Sequence, residues 1–125
     1  MKLVAIALGG AIGAVARYGL SGLVHRTANG NFPAGTLVVN VVGCLAIGAF
    51  LYFVEDRAML GPTARLFVAV GILGGFTTFS SFGYETIELL RDGRWGAASG
   101  SVLGNVILGL AAVWLGRAAM KWIGV

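Results

Sequence analysis

Polar and aromatic residues are concentrated in one apolar stretch of the sequence, residues 71–83, which reads GILGGFTTFSSFG. The adjacent glycines Gly74 and Gly75 and the β-branched Thr77 and Thr78 all continue an α-helix poorly. A helix that unwinds here would free backbone carbonyl oxygens, for which a cation such as sodium is a natural partner. The alternative is an unbroken, packed helix whose hydroxyls bond to carbonyls one turn earlier. The residues alone leave both alternatives open.

A stripe of phenylalanines runs through the same stretch at a spacing of three residues. A stripe of this kind ordinarily faces lipid or a protein core. Hydroxyl residues interleave with this stripe, which a purely apolar role does not explain. The members of the stripe and the hydroxyl residues interleaved with them are Phe76, Phe79, Phe82, Thr78, Ser80 and Ser81.

A second polar group lies in the apolar block that follows Pro33. Asn40 is seven residues beyond this proline, which suits the first turn of a helix. Thr36 precedes Asn40 by one helical turn and therefore lies on the same face. The Asn40 amide carries two donors, and polar groups inside membrane spans are costly and informative. Asn40 is either a donor that lines a polar path or a hydrogen-bonding contact between helices.

The charged residues discriminate between classes of transporter. Arg17 is the only charged residue of the first apolar block after Lys2, and a positive residue at a pore mouth suits an anion path. Its alternative role is to reach the membrane surface with a long side chain. A proton-coupled exporter needs a carboxylate inside the membrane, and the small multidrug exporters of similar size carry a glutamate in the first span. All five carboxylates of this sequence fall at predicted span ends or in loops: Glu55, Asp56, Glu85, Glu88 and Asp92.

Enzymatic and nucleic-acid-binding functions are disfavoured by the same inventory. His25 is the single histidine and Cys44 the single cysteine, and neither has partners at metal-ligand or nucleophile–base spacing. The net charge of +4 arises from basic residues scattered between apolar blocks, as membrane-flanking anchors are. We therefore predict that the protein is not an enzyme, binds no nucleic acid and is embedded in the lipid bilayer.

The composition of the chain requires a membrane. Of its 125 residues 58% are hydrophobic and 11% are charged, whereas a soluble domain carries about 25% charged residues. The apolar blocks are each long enough to cross a hydrocarbon core, and their short connections make neighbouring helices antiparallel. We predict one all-α membrane domain over residues 1–125, with helices over residues 3–24, 34–54, 63–90 and 96–122.

Glycines spaced four residues apart predict close helix packing. The pairs are Gly9/Gly13, Gly71/Gly75, Gly96/Gly100 and Gly100/Gly104. A weak internal repeat with an offset of 65 residues also aligns residues 8–10 with 73–75 and residues 35, 40 and 41 with 100, 105 and 106. Such a repeat would consist of two parallel units of two helices each.

The basic residues are almost evenly divided between the two sides of the predicted helices. The first side carries Lys2, Arg57, Arg65, Arg117 and Lys121, and the second carries Arg26, Arg91 and Arg94, with Arg17 as a possible fourth. Orientation in a membrane follows a clear excess of Lys and Arg on one side, which is missing here. This balance favours insertion in both orientations and an antiparallel dimer with a two-fold axis in the membrane plane.

Three motifs, taken together, resemble the bacterial fluoride channels, a family also described as CrcB-type fluoride exporters. They are residues 13–18 (GAVARY), 35–43 (GTLVVNVVG) and 74–82 (GGFTTFSSF), and the resemblance extends over nearly the whole chain. It implies an antiparallel dual-topology dimer of four-helix subunits with a broken third helix, two fluoride pores and passive, fluoride-selective export across the bacterial plasma membrane. A proton-coupled small-molecule exporter and a non-transporting membrane subunit are the alternatives.

The resemblance also implies roles for individual residues. Asn40 would donate to fluoride, Phe79 and Phe82 would face the ion with their ring edges, and Arg17 would form the aqueous entrance. Hydroxyls of Ser80 and Ser81 would lie near the path. A structural sodium ion at the helix break would take the backbone carbonyls of Gly74 and Thr77 from both subunits. The sequence departs from the family in the fourth helix, where Ser101 and Asn105 replace a frequent tyrosine and serine.

Overall fold

The structure is a computed structural model that describes residues 1–28 and 30–124 of the chain, and its regular secondary structure is helical. Four helical spans are long and apolar enough to cross a membrane: Lys2–Thr27, Ala34–Asp56, Pro62–Arg91 and Trp95–Ile123. This confirms the predicted all-helical, four-span membrane architecture.

The first two spans are continuous helices. Helix α1 is Lys2–Thr27, and α2 begins at Ala34, directly after Pro33, and runs to Leu51 before a final wider π-helical turn over Tyr52–Asp56. The start of α2 agrees with the preference of proline for helix N-termini, where a missing N–H costs nothing.

The third span is divided into two helices. The first, α3, covers residues 62–76 in three consecutive stretches, Pro62–Arg65, a π-helical Leu66–Leu73 and Gly74–Phe76. The second, α4, is Phe79–Arg91. Thr77 and Thr78 between them have extended backbone angles, with ψ of 157° and 111°. Helix α5, the last span, contains Trp95–Leu103, a π-helical Gly104–Leu108 and Gly109–Ile123.

The position of the break corrects one detail of the sequence interpretation. The adjacent glycines Gly74 and Gly75 remain helical, and the helix stops at the two threonines instead. Glycine is required at position 75 by helix packing, because a Cβ there would lie 2.6 Å from the carbonyl oxygen of Gly10. The unbroken helix, which was the other alternative, is excluded.

Glycines allow two pairs of helices to approach closely. Added Cβ atoms on Gly9 and Gly13 of α1 would collide with the carbonyl oxygens of Phe67 and Ile72 on α3. The predicted pairs Gly9/Gly13 and Gly71/Gly75 therefore form one close interface. A Cβ added to Gly96, Gly100 or Gly104 would meet open space or side chains only, so these pairs do not bring two backbones together. The close α2–α5 contact is instead made at Gly48 and Gly116, which sequence spacing did not indicate.

Polar contacts at the ends of the helices tie the connections together. Arg117 near the end of α5 bonds to Glu55 at 2.8 Å and to Asp56 at 2.7 Å at the end of α2. At the opposite end of the bundle, Arg94 donates to the backbone carbonyl of Asn31 at 2.6 Å. The contacts join start to start and end to end, so α2 and α5, the second and fourth spans, run parallel, as expected when short connections make consecutive spans antiparallel.

Candidate ion-binding site

The N-terminus of α4 is capped by the second threonine of the break. The Thr78 Oγ1 accepts a hydrogen bond from the Ser81 N–H at 3.2 Å, which satisfies one of the free donors at this helix start. The same hydroxyl donates to Ser81 Oγ at 3.0 Å and lies 3.4 Å from Ser80 Oγ. Thr78, Ser80 and Ser81 thus form a connected hydroxyl cluster at the break.

Asn40 holds the break in place from the neighbouring helix. Its Oδ1 accepts the Thr78 backbone N–H at 2.8 Å, and its Nδ2 donates to the Thr78 carbonyl at 3.1 Å. The second Nδ2–H of Asn40 donates to Oδ1 of Asn105 on α5 at 2.8 Å. The amide therefore joins α2, the break and α5, so that contact between helices, one of its two predicted roles, is present in this structure.

Two backbone carbonyls at the break are released from the helical hydrogen-bond pattern. The Thr78 N–H, which would bond to the Gly74 carbonyl in a continuous helix, bonds to Asn40 instead. The Ser81 N–H bonds to the Thr78 hydroxyl instead of the Thr77 carbonyl. The Thr77 hydroxyl donates to the Leu73 carbonyl at 2.9 Å. Gly74 and Thr77 both line the same groove. Carbonyl oxygens are the kind of ligand that a hard cation such as sodium prefers.

This groove, of about 380 Å³, is formed by α2, α3, α4 and α5. Phe79 and Phe82 line it together with Asn40, Asn105 and Thr78. The two rings meet edge to face, with centroids 5.4 Å apart and an interplanar angle of 62°. Phe82 is 9% exposed and Phe79 is 82% exposed in the single chain. The structure therefore brings the predicted pair together but leaves one ring uncovered on the outer face of the subunit.

Arg17 lies in a second cavity, of about 350 Å³, between α1, α2 and α4. Thr78 lines both the cavity and the groove, and Ser81 lines the cavity alone. Ser80 is exposed and lines neither. Asn40, Phe79 and Phe82 line the groove. The predicted site residues are therefore divided between a cavity with a basic and hydroxyl lining and a groove with an amide and aromatic lining. We call them the Arg17 cavity and the phenylalanine groove.

Glu85 is a member of the Arg17 cavity that sequence reasoning did not include. It accepts a hydrogen bond from the Thr36 hydroxyl at 2.8 Å through Oε1, and its Oε2 is buried with no hydrogen-bond partner among the described residues. Its position inside α4, six residues before Arg91, corrects the assignment of all five carboxylates to span ends or loops. A signal was present, because Glu85 follows Ser81 by one helical turn and therefore shares its face.

The two fourth-helix residues at which the sequence departs from the family have different roles. Ser101 is fully buried and its hydroxyl lies 3.2 Å from that of Thr86 on α4, which makes it an interhelical contact. Asn105 bonds to Asn40 and lines the phenylalanine groove. The fourth-helix polar contact to the site is therefore supplied by Asn105.

Comparisons with known proteins agree with this architecture. Residues 4–117 match the family described as CrcB-like protein, Camphor Resistance (CrcB). A protein of Opitutus terrae named fluoride-specific ion channel FluC is 58% identical over 116 residues, which cover 91% of this chain and 88% of that protein. Proteins of the same name from Nitratidesulfovibrio vulgaris and Chloroflexus aurantiacus are 48% and 44% identical, over 92% and 98% of this chain and 93% and 98% of theirs.

These relatives confirm the family resemblance and agree with the expectation of a non-enzymatic protein. With its four spans, the chain is a multi-pass bacterial membrane protein. A family match over residues 4–117 and relatives of nearly equal length establish that the chain belongs to the CrcB family of membrane proteins.

Proposed function

We propose that this protein is a fluoride-selective ion channel that passively exports fluoride across the bacterial plasma membrane and so lowers fluoride toxicity in the cytoplasm. Relatives of nearly the same length carry the name of a fluoride-specific ion channel. The observation that carries the proposal is the capped break at Thr77–Thr78, which places Asn40, Phe79 and Phe82 along one groove.

The groove offers the chemistry that a small, strongly hydrated anion requires. Amide and hydroxyl donors can replace water around the ion, and the positive rims of Phe79 and Phe82 can face it. None of these groups carries a fixed positive charge that would trap the ion, and conduction requires binding weak enough for release. Arg17, in the adjacent cavity, supplies positive potential at the entrance.

The functional unit in this proposal is an antiparallel dimer with two pores. Phe79 is 82% exposed although it is continuous with the groove, so a second copy that covers this face would complete the aromatic lining. The balance of Lys and Arg between the two membrane sides permits both orientations. A closed two-fold dimer of oppositely oriented chains would then bring two copies of the break together.

A structural sodium ion is part of the same proposal. The residues fit such an ion, because the carbonyls of Gly74 and Thr77 are released from helical bonding and both residues line one groove. Two subunits would supply four carbonyl oxygens, the donor type that hard cations prefer. A bound sodium ion would offset the negative ends of these carbonyl dipoles and join the two subunits, while the anion path remains with the amide and aromatic groups.

One observation favours a second candidate, proton-coupled export. Glu85 is a carboxylate inside a membrane span, and its Oε2 is buried without a partner among the described residues. Intramembrane carboxylates of this kind serve as proton carriers in transporters. Channel and coupled exporter differ in whether transport moves net charge, which liposome experiments distinguish.

The proposed function is tested with purified protein in liposomes loaded with sodium fluoride or sodium chloride, and a sodium ionophore to balance the charge. Efflux is followed with ion-selective electrodes. The proposal expects rapid fluoride efflux that exceeds chloride efflux by orders of magnitude. Equal efflux of the two anions, or none above that of protein-free liposomes, would refute it.

A further inference from the structure

Both donors of the Asn40 amide are engaged within the chain. One Nδ2–H bonds to the Thr78 carbonyl at 3.1 Å and the other to Asn105 Oδ1 at 2.8 Å. The carboxamide group has no third N–H. An anion that binds to Asn40 must therefore displace one of these two acceptors.

The two acceptors differ in how firmly they are bound to Asn40. The Thr78 backbone is held at two points, since its N–H also donates to Asn40 Oδ1 at 2.8 Å. The Asn105 side chain bonds to Asn40 at a single point; its rotation would also break its own Nδ2 bond to the Ser101 carbonyl, but it would leave both bonds between Asn40 and the Thr78 backbone intact. Displacement of Asn105 Oδ1 is therefore the less costly way to release an Asn40 donor.

The local structure of α5 fixes the position of Asn105. This residue lies in the π-helical segment Gly104–Leu108, a helix irregularity that occurs frequently at functional sites. Its own Nδ2 donates to the Ser101 carbonyl at 2.9 Å, which orients the Oδ1 toward Asn40. Both asparagines line the phenylalanine groove, so the bond between them borders the space that an ion would enter.

The geometry points to Asn105 as a positioning residue that competes with the transported anion for one N–H of Asn40. This inference rests on the proposed function. In the empty site, Asn105 satisfies the donor and holds the amide toward the groove. When fluoride arrives, the N–H passes from Asn105 Oδ1 to the anion, and it returns when the ion leaves. Asn105 thereby limits the affinity of the site and favours release.

The inference predicts how the dependence of transport on fluoride concentration changes. Asn105→Leu keeps a similar volume and removes the competing acceptor. One neutral hydrogen bond contributes about 1 kcal/mol net, so the half-saturating fluoride concentration should fall about fivefold. Asn105→Ser, whose hydroxyl is too short to reach Asn40, should shift the concentration in the same direction and serves if the leucine variant does not fold.

A conservative variant separates this role from packing. Asn105→Gln retains an amide acceptor with greater reach, so its half-saturating concentration should lie close to that of the wild type. Ile107→Leu, in the same π-helical segment at a position that is 57% exposed, is the matched control and should change nothing.

The experiment measures initial fluoride efflux from liposomes over a range of internal fluoride concentrations, for dimer fractions purified by gel filtration. A fivefold lower half-saturating concentration for Asn105→Leu or Asn105→Ser, with a wild-type-like curve for Asn105→Gln, supports the inference. Superimposable curves, a shift to higher fluoride, or an equal shift for Asn105→Gln overturns it. Failure of the wild type to transport fluoride would refute the proposed function instead.

Discussion

Asn40 and Asn105 are joined by a hydrogen bond of 2.8 Å from Nδ2 of the first to Oδ1 of the second, across 65 residues of sequence. The same separation relates Gly10 and Gly75, whose backbones touch, and Gly48 and Val113, which form the contact between α2 and α5. Equivalent positions of the proposed repeat therefore face each other along the bundle. This arrangement favours the interpretation of the chain as two similar two-helix units.

A negative charge at position 40 is expected to stop fluoride transport. Asn40→Asp keeps the acceptor for the Thr78 N–H, and two like charges 4 Å apart repel by about 4 kcal/mol at an effective dielectric constant of about 20. Fluoride occupancy should fall about a thousandfold. Fluoride efflux is measured for the purified dimer, and Asn31→Asp, in the loop before α2, controls for the added charge. Normal efflux from a dimeric Asn40→Asp variant would show that Asn40 acts only as a helix contact.

Most of the helical architecture was predictable from the sequence, because it follows from the length and apolar character of four blocks. Pro33 marked the start of α2, and residues 74–78 indicated a candidate break, which the structure places at the threonine pair. Glycine spacing indicated the α1–α3 interface, but Gly48 and Gly116 are on different helices and leave no pattern along the chain.

The site was only partly predictable, because some of its contacts join helices that are distant in sequence. Asn40, Phe79 and Phe82 were indicated by residue type and local spacing. The pairing of Asn40 with Asn105 and that of Thr36 with Glu85 depend on how helices distant in sequence pack together. No local spacing encodes such contacts, although the 65-residue offset of the predicted repeat aligned Asn40 with Asn105. Glu85 in particular was assigned to a span end because the apolar block before it ends at Tyr84.

Replacement of the groove phenylalanines should distinguish ring electrostatics from size. If the positive ring edges face fluoride, Phe79→Leu and Phe82→Leu should slow efflux at least tenfold, while Phe82→Tyr should have a smaller effect. Phe53→Leu, at a ring that packs against Tyr52 away from the groove, controls for the loss of an aromatic group. Efflux rates are compared for gel-filtered dimers. Equal, near-wild-type rates for the leucine and tyrosine variants would assign the stripe to ordinary packing.

Close packing of α1 against α3 should be sensitive to a single methyl group. A Cβ at Gly13 would collide with the Ile72 carbonyl, a backbone atom that cannot move aside, so Gly13→Ala should destabilise the fold by about 1–3 kcal/mol. Gly19→Ala on the same helix meets open space and should be neutral or slightly stabilising. Thermal unfolding in detergent measures both. Equal unfolding temperatures would contradict the close contact.

Dual topology predicts that one loop position is accessible from both sides of the membrane. Met59 is exposed in the connection between α2 and α3, and Cys44 is the only native cysteine. In a Cys44→Ala background, Met59→Cys should react with a membrane-impermeant maleimide to a similar extent from the inside and the outside of cells. Asp92→Cys, exposed at the opposite end of the bundle and leaving every Lys and Arg in place, is labelled in parallel. Labelling of each site from one side only would exclude the antiparallel dimer.

The most direct test of the account is whether fluoride crosses the membrane as a net charge. Liposomes that contain the protein and potassium fluoride are diluted into fluoride-free buffer, and external fluoride is recorded before and after a potassium ionophore is added. For a passive channel, efflux stalls until the ionophore balances the charge and then proceeds rapidly. Efflux that proceeds without the ionophore and is driven by an imposed proton gradient alone would contradict a passive channel and identify a proton-coupled exporter.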